Sequence, residues 1–120
     1  MPSLETVNSF IRLIEDGRSL ESMQRYYADT ASVRENMAPP RLGKPALIQH
    51  EEEALASIKS LKASCVRPIF IAGDCAVIRW IFEIEDKKGK TVRFEELAYQ
   101  RWSDDQIVEE QFFYDPAQFK

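Results

Sequence analysis

Hydrophobic residues along this chain recur first every three to four positions and then every second one, and the change of period falls just after Leu61. Behind Ser3, a suitable N-cap, Val7, Phe10, Ile11 and Ile14 share one helical face, and Asp16-Gly17 closes that helix. Ser19 is expected to cap a shorter helix in which Leu20, Met23 and Tyr27 align. Ala31 to Glu35 predicts a short strand, and Asn36 to Gly43, with Pro39-Pro40, predicts a loop. Pro45 suits the first turn of a third helix, along which Leu47, His50, Ala54, Ile58 and Leu61 repeat. Glu51, Glu52 and Glu53 point mostly away from that stripe and read as a solvated face. The period-two region predicts four long strands, near 64–71, 75–86, 91–103 and 106–114, joined by turns short enough to require an antiparallel meander. Pro68 cannot donate to a ladder and marks an edge or a bulge.

Turns centred on their Gly and Asp residues set Phe82 opposite Phe94, Trp80 opposite Glu96, and Ala98 opposite Gln111. One sheet face then carries Ile78, Trp80, Phe82, Phe94, Glu96, Ala98, Gln100, Trp102, Glu109, Gln111 and Phe113. It is the more aromatic face and is expected to lie under the helices. Its four polar groups, Glu96, Gln100, Glu109 and Gln111, would each cost about 1–3 kcal/mol if buried without partners, so they either lie at wet sheet ends or line a cavity. The other face alternates charge with Ile81, Leu97, Tyr99 and Phe112 and has no helix left to cover it. That composition predicts a homodimer formed sheet to sheet, with those four residues at its centre.

A length of 120 residues suits one domain with one core, and its composition is that of an ordinary folded protein. Net charge is −4, and no basic cluster exceeds Lys87, Lys88 and Lys90, so nucleic acid and anionic membrane are not expected partners. The opening residues resemble no secretory or transit signal, and no apolar run reaches spanning length, so a cytoplasmic location is expected. Cys65 and Cys75 are not placed to pair with each other, and the single His lacks a ligand-spaced partner, so neither a disulfide nor a metal or other cofactor is indicated.

The order of elements, together with particular stretches, resembles the nuclear transport factor 2-like superfamily, an α+β fold in which a strongly curved sheet and three N-terminal helices enclose a pocket. Tyr26-Tyr27-Ala28-Asp29-Thr30-Ala31-Ser32-Val33-Arg34-Glu35 resembles a signature of ketosteroid isomerases and SnoaL-like polyketide cyclases. Gly43-Lys44-Pro45-Ala46-Leu47-Ile48 is similar to the opening of their third helix, and Gln111 to Asp115 to their last strand. Ketosteroid isomerases abstract a proton beside a carbonyl with a carboxylate and stabilise the enolate with a Tyr and a protonated Asp. The resemblance puts Glu35 at the base position, but Phe10 and Ala98 at the two donor positions, so both donors are missing.

The resulting expectation is a SnoaL-like protein that binds a small, partly apolar organic molecule. Glu35, assisted by His50, would perform proton transfer such as isomerisation, cyclisation or hydration. Phe10, Tyr27, Trp80, Phe82, Glu96, Ala98, Gln100, Trp102, Glu109, Gln111 and Phe113 would line the ligand's pocket. Each has a plainer reading: Glu35 as a strand-end carboxylate paired with Arg34 or solvent, His50 as a buried imidazole bound to a carbonyl, and the aromatics as core. The alternative function is a non-catalytic ligand-binding or dimerisation module on the same fold.

Overall fold

The helices of the computed structural model, which describes residues 1–119, follow from local signals that the chain carries at their ends. Helix α1 (Leu4–Glu15) starts where Ser3 Oγ accepts the Thr6 N–H at 3.0 Å, and it buries Val7, Phe10, Ile11 and Leu13. Gly17, at φ +78°, supplies the left-handed turn that separates it from α2 (Ser19–Tyr26). Ser19 is the first residue of α2 and not its cap, which is Arg18 and makes no side-chain capping bond.

Two boundaries differ from the sequence expectation. Strand β1 (Tyr27–Glu35) begins four residues before Ala31, so Tyr27 stands on a strand and not on α2. After the two-residue β2 (Arg41–Leu42), helix α3 (Lys44–Ala56) stops before Ile58 and Leu61, which belong to β3 (Ile58–Ala72). Ser57 ends the helix by donating its hydroxyl to the Ala54 carbonyl at 2.7 Å. Ile58 and Leu61 fit helical spacing by coincidence; pairing of Ile58 with Asp86 and of Leu61 with Ile84 draws the segment into the sheet. No described helix is long and apolar enough to cross a membrane.

Strands β3, β4 (Cys75–Asp86), β5 (Thr91–Ser103) and β6 (Gln106–Phe113) form the expected antiparallel meander. A parallel pairing of β1 with β6 extends it to a six-stranded mixed sheet of order β2-β1-β6-β5-β4-β3. Pro68 lies on the β3 edge where the register slips between Val66 and Phe70. The architecture is thus α+β, a curved sheet with three N-terminal helices against one face. Cys65 and Cys75 are both free thiols.

The register of β4 against β5 is the expected one, with Phe82 opposite Phe94 and Trp80 opposite Glu96. The β5–β6 hairpin departs from it. Its turn, with Asp104 and Asp105 at φ 50° and 62°, places Ser103 opposite Gln106 and Trp102 opposite Ile107. The next pair is Arg101 with Glu109, so Val108 is an extra residue, a β-bulge. Ala98 consequently faces Phe112 and not Gln111, and every residue of β6 beyond the bulge changes side. Glu110 and Phe112 therefore join the helix-covered face, while Glu109, Gln111 and Phe113 lie on the outer one.

Candidate functional site

Helix α3 rests on β1 and on β3, which lie toward opposite sides of the sheet, and spans the strands between them. The curved sheet falls away beneath it, leaving a cavity of about 570 Å³. Trp80, Phe82, Ile84, Phe94 and Phe112 line its sheet wall, and Leu47, His50, Glu51, Ala54 and Leu55 its helical wall. Ile58 to Leu61, Tyr114 and Phe119 complete the rim. Stacked rings run along the sheet wall, Trp80 to Phe82 at 5.6 Å and Phe82 to Phe94 at 5.3 Å between centroids.

Four carboxyl groups reach this space: Glu35, Glu51, Glu96 and Glu110. Glu110 is the most enclosed, at 3 % exposure. The Tyr27 hydroxyl donates to one of its oxygens, and Gln100 Nε2 donates to the other at 2.6 Å. Gln100 Oε1 in turn accepts the Trp102 indole N–H at 3.0 Å, so the polar groups of this buried patch satisfy one another. Burial pushes the Glu110 carboxyl up to about 7, against the two hydrogen bonds, which favour its charged form. Tyr27 is pushed well above the ordinary phenol value by burial first and by Glu110 next. Burial raises Glu96 to about 8, with the charges of Glu110, Glu35 and Glu51 acting in the same sense.

The residues singled out from the sequence fall into four groups. Tyr27, Trp80, Phe82 and Glu96 line the cavity. Phe10, Ala98, Gln100 and Trp102 share its sheet face or the helix above but belong to the solid core beside it, where Phe10 meets Trp102 edge to face at 5.9 Å. Glu109, Gln111 and Phe113 are displaced by the Val108 bulge: Glu109 pairs with Arg101, Gln111 donates to the Asn36 carbonyl at 2.8 Å, and Phe113 is on the convex face. Glu35 and His50 stand at the cavity's rim. Glu35 lies 3.7 Å from Arg41, not against Arg34, and His50 is exposed and not buried beneath the helix.

Glu51, Glu110, Phe94, Phe112, Tyr114 and Phe119 escaped sequence reasoning as pocket residues. The adjacent glutamates 109 and 110 carried a signal, because strand alternation sends one of any such pair inward. Glu51 follows Leu47 by four positions, so the buried Leu47 places it inward, whereas the run of three glutamates suggested a uniformly wet face. Among the described residues no group of three or more His, Cys, Asp or Glu side chains is arranged to hold a metal ion.

A carboxyl that titrates near neutrality within apolar walls can both donate and accept a proton at working pH. A SnoaL-like domain signature matches residues 7–110. The chain belongs to the SnoaL-like domain family. A protein described as a SnoaL-like polyketide cyclase from Mesorhizobium loti is similar in structure, with a TM-score of 0.79 and 23 % identity over 95 % of this chain and 100 % of that one. A protein of unknown function with a cystatin-like fold from Xanthomonas campestris gives a TM-score of 0.84 at 17 % identity, over 99 % and 95 %. A Catenulispora acidiphila protein with a ketosteroid isomerase-like fold, in complex with trimethylamine, gives 0.81 at 13 % identity, over 98 % and 90 %. At these identities the likeness is one of fold. No curated protein matches the chain.

Proposed function

We propose that this SnoaL-like protein binds a small, partly apolar organic molecule between α3 and the sheet and transfers a proton on it through Glu96, with Glu110 and Tyr27 behind. The observation that carries this reading is the placement of Glu96 and the hydrogen-bonded Glu110 in one aromatic-walled cavity of about 570 Å³. A ligand held against Trp80, Phe82 and Phe94 would have its reacting atom beside a carboxyl whose proton is neither tightly held nor freely lost at neutral pH. Glu35, with Arg41 beside it and His50 across the rim, would then orient the ligand's polar end and not act as the main base. The trimethylamine bound by the Catenulispora acidiphila protein fits a ligand of small size.

Mass spectrometry of molecules retained by the natively purified protein identifies the ligand class. With that compound, Glu96→Gln keeps binding and abolishes turnover, whereas Glu35→Gln lowers affinity more than kcat. Unchanged turnover in Glu96→Gln removes proton transfer by this group and leaves a binding module.

We also propose that the convex face pairs with a second copy of the chain. Leu97 and Tyr99 there are 44 % and 45 % exposed beside Phe70 and Phe113, and the Arg79–Glu95 ion pair at 2.9 Å lies among them. Such a patch is larger than isolated surface residues require. Sedimentation is expected to show a dimer for the wild type and a monomer for Leu97→Asp with Phe113→Asp; a wild-type monomer at micromolar concentration overturns the dimer.

A further inference from the structure

Strand β5 outruns its neighbour. Pairing with β6 ends at Leu97 opposite Phe113, and at Tyr114 the chain turns toward Asn36, whose Oδ1 accepts the Tyr114 N–H at 3.0 Å. The stretch of β5 before Leu97 therefore has an open edge on that side, and an open edge leaves backbone donors and acceptors to solvent or to another chain. Here the side chain of Gln118 fills it at Glu95. Its Oε1 accepts the Glu95 N–H at 2.8 Å while its Nε2 donates to the Glu95 carbonyl at 3.0 Å, which is how a neighbouring strand would pair. The short 3-10 turn Pro116–Phe119 that presents Gln118 is itself braced, since Asp115 Oδ1 accepts the Ala117 N–H at 2.9 Å.

The next residue, Phe119, lies over the pocket. Its ring is 4.7 Å from Phe94 and 5.8 Å, edge to face, from Tyr114. Phe94 is two positions before Glu96 on the same face, so Phe119 stands at the Phe94 end of the cavity, on the side away from the core residue Ala98. Phe119 remains 42 % exposed, so its position is secured less by burial than by the tether beside it.

We infer that Gln118, by completing the open edge of β5, is a positioning residue that holds Phe119 as the end wall of the pocket, and that this wall sets the greatest length of ligand accepted. The inference rests on the pocket being a ligand site, as proposed above. The amide pair on Glu95 fixes the turn in one place, and the ring beside it contacts the last aromatic of the sheet wall. Loosening either one lengthens the cavity toward solvent without altering Trp80, Phe82 or Glu96.

The probe is a series of ω-phenylalkanols from 2-phenylethanol to 8-phenyloctanol, titrated by calorimetry into the full chain at pH 7. For the wild type, affinity is expected to rise with each methylene up to a limit and then fall. Gln118→Ala and Phe119→Ala are each expected to move the limit to a longer chain. The second alcohol beyond the wild-type limit should gain about tenfold, as two newly buried methylenes would give. In Gln118→Ala the shortest alcohols should bind as before. A purely structural role for Gln118 would weaken the whole series alike and leave the limit in place. An unchanged limit in Gln118→Ala, or a wild-type series without a limit, overturns the inference while leaving the pocket intact. A series in which no member binds any of the three proteins overturns the pocket reading itself.

Discussion

Where Trp102 lies on the concave face, Phe10 and Tyr26 close on the indole from the helices, at 5.9 and 6.2 Å. Trp80 has Phe82 stacked on it at 5.6 Å, and it is from Phe82 onward, toward Phe94 and Ile84, that the face opens onto the cavity. Both tryptophans are almost fully buried and both sit on the same sheet, so side-chain character does not separate the two ends. The helices do. Helix α1 lays Phe10 directly onto the sheet, whereas α3 is carried at its two sides by β1 and β3 and bridges the middle. One end of the face thereby becomes core, and the other becomes a site in which carboxyl groups are dried without being packed.

The largest expected effect that tests this contrast is on stability. Trp102→Ala should cost about 3–5 kcal/mol, since it opens a void in solid core and strands Gln100 Oε1. Phe82→Ala, which only enlarges an existing cavity, should cost about half of that or less. Equal costs in urea unfolding would erase the distinction between the two ends.

The carboxyls of the open end give the next effect, in pH. Burial raises Glu110 to about 7 and Glu96 to about 8 in the folded protein, above the ordinary carboxylate value that the unfolded chain keeps. The folded state thus binds more protons between those values, and these two groups destabilise it as pH rises. Their contribution is most favourable below the ordinary carboxylate range and falls through pH 7 and 8, by at most about 1.4 kcal/mol per pH unit for each group. Glu96→Gln should flatten the fall between pH 7 and 8; urea midpoints for the two proteins across pH 5–9 check it.

Smaller effects separate the buried carboxyl from the one at the rim. Tyr27→Phe removes a donor that favours ionised Glu110, so it should cost about 1–2 kcal/mol and move the Glu110 titration upward, seen by carbon-13 NMR of the carboxyl. Glu35→Gln, at the half-exposed pair with Arg41, should change stability by no more than about 1 kcal/mol. A larger loss would mean that the rim is as enclosed as the interior.

Much of this arrangement is legible from residue pattern, and its gaps have physical causes. Phe82 opposite Phe94 and Trp80 opposite Glu96 follow from a turn near Gly89, because no irregularity intervenes in that hairpin. The same counting is right at Trp102 and Ile107 and then wrong by one at Arg101, because Val108 bulges. Glu109, Gln111 and Phe113 were expected at the site for that reason, and Glu110 and Phe112 occupy it instead. The surroundings of Glu35 depend on Arg41, which a two-residue pairing of Ser32 and Val33 with β2 brings alongside, and no local pattern shows that pairing.

The helical and extended periods, the hairpin turns, the α+β class and the polar groups among the aromatics of one face all follow from residue order. These are local properties, set by how a few neighbouring residues direct their side chains along a backbone of given pitch. Which glutamate enters the pocket, where α3 gives way to β3, and the parallel lie of β1 on β6 come from the folded chain. Each of those outcomes depends on pairing between distant segments. A single inserted residue is enough to exchange the faces of a strand, and neither its composition nor its periodicity changes when it does.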